Sequence, residues 1–296
     1  MLTPTQKERC QAGLERLRNP ILPLVQLAGM LYLTGPFTGL AELLAELREP
    51  VETGGLRYDD PAAQLAPYLA AMQPYERLKI PGRPERIIVD ENMQAPDQFT
   101  ALAGWVGQNV LAQELEKINS MLCGPCNCTL CCIGPEEDAA QEFFEIPLTE
   151  KETALFPLPI RNDEQTRAAT PADDPPLPVA GIPFYAQPAA LYRWRSGWSM
   201  ILPRGSRCPQ LDPTSGGCGI YPARPAVCRL PQIFPYILER DESLDRDYDG
   251  RLLPGFILRD KLLAVWDCPY VREFQEEIAA YAALSSVQPV FRENKG

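Results

Sequence analysis

Apolar residues recur three and four apart in several stretches of this chain, the period of a helix with one buried face. LAELLAEL, ending at Leu47, is one such stretch. DQFTALAGWVGQNVLAQELEKINSML, from Asp97, is a longer one, with an aspartate in the N-cap position. The uncharged run from Asn19 to Ala41 predicts a buried helix ending near Thr34-Gly35-Pro36, and DCPYVREFQEEIAAYAALSS, from Asp267, predicts an amphipathic terminal helix. Strand signals are fewer. IPGRPERIIVD holds one short strand at most, EFFEIPLTEKETALF a short strand followed by a capped helix, and WSMILP a strand entering a cysteine group. In the second of these, Thr149 and Glu152 have capping-box spacing. Tetrapeptides such as ETGG and PGRP punctuate the rest, and Phe156 to Pro188, with TPADDPPLP, reads as a surface connection. No internal repeat is present. This pattern predicts a mainly helical region over residues 1–120, a core over 121–236 and a helical cap over 237–296.

Composition changes that picture in two ways. The 32 prolines among 296 residues are roughly twice average usage, so long irregular connections and little sheet are expected. Histidine is absent altogether. That removes imidazole acid–base catalysis, Ser-His-Asp and Cys-His nucleophile systems, and every mixed Cys/His zinc pattern. The net charge of −11 lacks the basic footprint that nucleic-acid binding needs. Basic residues before the uncharged run (Lys7, Arg9, Arg16 and Arg18) give it a superficial likeness to a signal or spanning segment. Pro23, Gly29, Gly35, Pro36 and Gly39 interrupt the run, and Glu8 and Glu15 dilute the basic part. A buried helix in a cytoplasmic protein, without a membrane, is the expectation.

Ten cysteines supply the candidate chemistry, five of them in CGPCNCTLCC at residues 123–132. Disulfide frameworks belong mostly to small secreted domains without a sufficient core, and a bond between the adjacent Cys131 and Cys132 would be strained. A metal held by sulfur suits the clustering better. The second group, CPQLDPTSGGCGIYPARPAVCRLPQIFP, brings Cys208, Cys218 and Cys228, and Cys268 follows in the tail. Thiolates select zinc, copper(I) or iron–sulfur clusters, and four complete either a tetrahedral zinc site or a 4Fe–4S cluster. Only Cys10 looks detached.

These paired blocks resemble the YkgJ-type cysteine-cluster family, with its CxxCxxCC motif. The resemblance covers about residues 123–236, and runs through PLTEKE, Cys208-Pro209-Gln210-Leu211, Cys218-Gly219-Ile220-Tyr221, Arg224-Pro225 and Cys228-Arg229. It implies a zinc- or iron-chelating domain with Cys128, Cys131, Cys132, Cys208, Cys218 and Cys228 among the ligands. Pro125 falls where the first cysteine of the motif belongs, so Cys126, or its neighbour Cys123, takes that place. Cys268 lies beyond the motif, either an added ligand or a buried thiol. Arg224 and Arg229 flank Cys228, either offsetting thiolate charge or starting a helical turn through Arg-Pro. Some relatives of this pattern are associated with lysine methylation of proteins, but the chain carries no methyl-donor or nucleotide motif.

Two further stretches have bland readings that lead. DRDYDG, at residues 245–250, opens like a calcium loop, but Phe256 stands where the bidentate glutamate belongs, and Asp249-Gly250 is equally a hairpin turn. Tyr192, Trp194 and Trp198 alternate with arginines, a spacing that more often means packing than stacking on a ligand. The expected protein is α+β: an irregular metal-organised cysteine-cluster core with little sheet, packed on a helical N-terminal region. Its site, at Cys126, Cys128, Cys131, Cys132, Cys208, Cys218, Cys228 and Cys268, takes an iron–sulfur cluster (4Fe–4S) or zinc. A redox or cluster-supported modifying activity, and a zinc-stapled interaction protein with a protein partner, remain the alternatives. A closed four-ligand site points to structural zinc, and eight or nine converging thiols to a cluster or binuclear site.

Overall fold

A computed structural model describes residues 2–80, 83–137, 139–230 and 232–293. Pro81 and Gly82, half of the PGRP turn signal, lie outside the described residues. The fold is α+β and falls into two compact units. The described residues up to Leu122 join Gln232–Glu293 in the first, and those of Cys123–Pro231 make the second. The chain thus leaves the first unit once, builds the second, and returns.

In the first unit the expected helices form. Leu22–Thr34 ends at Gly35, where Pro36 blocks continuation, and Leu40–Glu46 follows. The long helix Gln98–Cys126 starts at Asp97, whose Oδ1 accepts the Thr100 N–H at 3.0 Å. Val106, Val110, Leu111, Leu115, Ile118 and Leu122 line its buried face. The helix does not stop where the cysteines begin: it runs on through Cys123 to Cys126 with Pro125 in its last turn. Its buried polar residues are fully used. Asn119 accepts the Tyr270 hydroxyl at 2.7 Å and the Gln232 and Ile233 N–H groups, and donates to the Ile233 carbonyl.

The sheet of this unit centres on Gly255–Val265. That strand pairs antiparallel with Ile233–Arg240 and parallel with both Gln288–Arg292 and Ile87–Val89. The tail therefore holds more than a helix. Pro269–Glu273 and Gln275–Leu284 are followed by a strand whose partner lies far back in the chain. DRDYDG forms a hairpin, Arg246–Tyr248 against Arg251–Leu253. Asp249 and Gly250 occupy its turn at positive φ, and the Asp247 carboxylate accepts the Gly250 N–H. The hairpin reading of that stretch holds.

The second unit contains a four-stranded sheet in the order Phe143–Leu148, Gly197–Pro203, Ala190–Trp194, Ile160–Arg161. The first two pairings are antiparallel and the last parallel. Prolines coexist with this sheet because they sit where a ladder N–H is dispensable: Pro147 on an edge strand and Pro203 at a strand end. The stretch from Phe156 to Pro188 is more ordered than its composition suggests, with the capped helix Glu164–Ala168 and a small hairpin, Pro178–Val179 with Ile182–Pro183.

Alternation gives this sheet two apolar faces. Ala190, Tyr192, Trp194 and Ile201 point to one, where Tyr192 and Trp194 stack at 4.8 Å around Phe184. Trp194 Nε1 donates to Ser199, so this aromatic row is packing. Leu191, Met200 and Leu202 point to the other, together with Ile146, Leu148 and Phe156. Against that second face lie Cys208, Ile220, Val227 and Cys228. The sheet is the floor on which the second cysteine group rests.

Candidate metal centre

Three local devices bring the cysteine segments of the second unit together. The first is a backbone zip: Cys208 N donates to Cys132 O at 2.8 Å, Gly134 N donates to Ser206 O at 2.9 Å, and Ile133 bridges Arg207 antiparallel. Gly134 makes this approach feasible, since a Cβ there would lie 1.9 Å from the Pro203 carbonyl oxygen. The second is Asn127. With φ of 53° it turns the chain left-handed after the helix, between Cys126 and Cys128, and its Nδ2 donates to Ser215 O at 2.6 Å in the second cysteine loop. That loop is closed on itself by the Asp212 carboxylate, which accepts the Thr214 and Ser215 N–H groups, and by a bridge between Leu211 and Cys218. The third device is Glu152. It closes the capping box with Thr149 and reaches on to accept Ala226 N–H at 2.8 Å, anchoring the 3₁₀ turn Ala226–Arg229 that carries Cys228.

All ten cysteines are free thiols, and eight of them, from Cys123 to Cys228, belong to this unit. The Sγ atoms of Cys131 and Cys132 are 3.8 Å apart, and those of Cys126 and Cys128 lie within 4.8 Å of each other. The thiols also press on one another electrostatically. Burial pushes Cys228 up to about 12, with Cys131 and Cys208 adding to it. Burial raises Cys208 as well, Cys218 and Cys131 adding. The hydrogen bond between the adjacent pair holds Cys131 low and Cys132 well above the ordinary thiol range, with burial and the charges at Cys208 and Cys228 contributing to the rise. Cys123, which the motif alignment offered only as a stand-in, also belongs here. Burial raises it, Cys131 and Cys128 add to this, and Arg224 Nη1 lies 3.9 Å from its sulfur.

Arg224 is 5% exposed, and its guanidinium sits 4.0 Å over the Tyr221 ring. Its charge draws down Cys123, Cys131 and Cys228 alike. This is a buried cation set among thiols, an arrangement that offsets thiolate charge. Arg229 plays the structural part, donating to the Arg224 carbonyl at 2.9 Å.

The predicted position Cys268 and the detached Cys10 belong to the first unit. Cys268 is fully buried in the first unit, where its carbonyl opens the helix Pro269–Glu273. Cys10 is buried in the same unit, its sulfur 3.9 Å from the Leu122 carbonyl oxygen. Sequence spacing gave no hint of Glu152, Asn127 and Gly134 as positioning residues, although Glu152 was visible as half of a capping box.

The donor set fits a thiophilic ion. The unit supplies eight thiols, on segments joined by backbone hydrogen bonds, and the chain has no imidazole to compete with them. When bound, such an ion would crosslink the helix end, the Cys128–Cys132 loop and the Cys208–Cys228 segment. No helix among the described residues is long and apolar enough to cross a membrane.

No curated protein and no solved structure matches the chain. Residues 122–247 match the CxxCxxCC family model, described as "Putative zinc- or iron-chelating domain". The matched stretch contains the eight thiols of the second unit and the sheet face against which Cys208 and Cys228 lie.

Proposed function

We propose that the cysteine unit chelates zinc through tetrahedral thiolate coordination, and that the ion holds the unit's segments together. The observation that carries this is the 3.8 Å between the Cys131 and Cys132 sulfurs. Zn–S bonds of about 2.3 Å set a tetrahedral edge of about 3.8 Å, so two sulfurs at this separation suit ligands of one ion. A 4Fe–4S cluster places each of its four cysteines on a separate iron, which this pair fits less well. Iron in a tetrathiolate site shares the tetrahedral geometry and is the second occupant to test. Cysteines clustered as metal ligands rather than spread as a disulfide framework suit a reducing compartment, which supports a cytoplasmic location.

No reaction is assigned to the site. The residues around it bind, orient and compensate charge, and the metal adds folding energy.

The test is metal and acid-labile sulfide content, with an absorption spectrum, on full-length protein purified without oxygen. Zinc, retained and colourless, is expected, and C208S and C228S each lower it. Full occupancy in both variants sinks the convergent site, and iron with sulfide replaces zinc by a cluster. Cys268 is tested separately: loss of metal in C268S makes it a ligand, and retention makes it a packed core thiol.

A further inference from the structure

One pair of thiols in the cysteine unit is set apart by its place in the chain. Cys131 and Cys132 are adjacent, and their sulfurs lie 3.8 Å apart. Both are half-buried, in a turn where Leu130 is exposed, whereas Cys126 is 5% exposed. The backbone of Cys132 is committed on both sides. Its N–H donates to the Thr129 carbonyl at 2.8 Å and closes the turn, and its carbonyl accepts the Cys208 N–H at 2.8 Å and starts the zip. A bond between the two sulfurs would close a ring that contains the peptide joining these residues. The sulfurs must then approach to about 2 Å while the peptide stays near planar, so the distortion falls on the backbone dihedrals of the pair. That swings the Cys132 N–H and carbonyl away from Thr129 and Cys208.

We propose that Cys131 and Cys132 form a redox-sensitive switch: a hydroperoxide joins them as a disulfide, which releases the bound ion and opens the zip to Cys208. This rests on the proposed zinc chelation and adds what undoes it. One sulfur, as thiolate, attacks the near oxygen of hydrogen peroxide; a sulfur–oxygen bond forms, the oxygen–oxygen bond breaks and hydroxide leaves. The other sulfur, also as thiolate, attacks the resulting sulfenic acid at sulfur; the disulfide forms and a second hydroxide leaves. The two sulfurs give up two electrons, the peroxide takes them, and two protons from solvent turn both hydroxides into water. Neither sulfur of the disulfide keeps the thiolate charge that holds a metal. Strained disulfides are the readily reduced ones, so a thiol reductant reverses the change.

The experiment treats full-length protein, purified without oxygen and loaded with zinc, with hydrogen peroxide. Bound zinc is followed with a chromogenic chelator and the state of the sulfurs by mass spectrometry. Cleavage after Leu130 and Phe143 gives a fragment whose only cysteines are Cys131 and Cys132. The expected result is that fragment lighter by two hydrogens, with bound zinc lost in proportion to it, and dithiothreitol followed by zinc restoring both. Sulfinic acid in place of the disulfide, a disulfide from either residue to another cysteine, or zinc retained once the pair has joined overturns the switch and leaves chelation standing. No zinc bound before peroxide is added overturns the chelation reading and the switch with it. The fragment comes from the unaltered protein, so the outcome does not depend on a variant that folds.

Discussion

At the scale of single residues, Gly134 and Arg224 are the two side-chain choices that the centre tolerates least. A Cβ at position 134 would overlap the Pro203 carbonyl oxygen, a backbone atom that cannot rotate away. Alanine there is expected to open the zip between Cys132–Gly134 and Ser206–Cys208, at a cost of about 1–3 kcal/mol, the range for forced overpacking. A fall in the thermal midpoint together with lost metal checks this; unchanged metal content and midpoint would refute it. Arg224 acts differently. R224Q removes the buried charge beside Cys123 and the stack on Tyr221, and is expected to weaken metal retention by about tenfold or more. R224K keeps the charge but not the planar stack, so its loss should be smaller. Competition with a chelator measures both, and equal retention in R224Q and the unaltered protein would reduce Arg224 to a packing residue.

At the scale of elements, Glu152 couples a capping box to a cysteine 76 residues later. Removing its carboxylate in E152A takes away the acceptor of the Ala226 N–H and one half of the cap, together about 1–2 kcal/mol. E152Q keeps an acceptor and should cost less. Urea midpoints of the metal-free proteins would separate the two. How far such elements can be read from sequence depends on where their partners lie. The helices were legible because their buried faces repeat locally, as in Val106 to Leu122, and because Asp97 and Thr149 announce their caps. The cysteine spacing was legible because ligand motifs are local too. The strand Gln288–Arg292 was not, since its reason for being extended is a parallel partner at Lys261–Val265. Nor was the place of Cys123 legible. In sequence it precedes the motif; in space the extra helical turn carries it to Arg224.

At the scale of the whole molecule, the first unit carries a buried acid that ties its stability to pH. Glu114 accepts the Tyr281 hydroxyl at 2.6 Å and the Ile21 N–H at 3.1 Å. Burial pushes its carboxyl up to about 7, with Tyr281, Ile21, Arg16 and Lys117 pulling it down. The folded state therefore holds this proton more tightly than the unfolded chain does. The resulting stability is fully present below about pH 4.5 and is lost as pH rises through about 7, at most about 3 kcal/mol. Unfolding by urea across that window should show the decline, and E114Q, which stays neutral, should flatten it. A slope that persists undiminished in E114Q would place the effect elsewhere.

The order in which the chain visits its two units has a consequence for synthesis. Val89 pairs with Ile257, so the sheet of the first unit waits for everything between them. At about 5–20 residues per second a ribosome takes on the order of ten to thirty seconds to cover that distance. Both cysteine groups emerge during this wait, and every partner that the Cys132–Cys208 zip requires is already outside the tunnel before the central strand Gly255–Val265 appears. The nascent chain can thus acquire its ion while its host is still an incomplete set of helices.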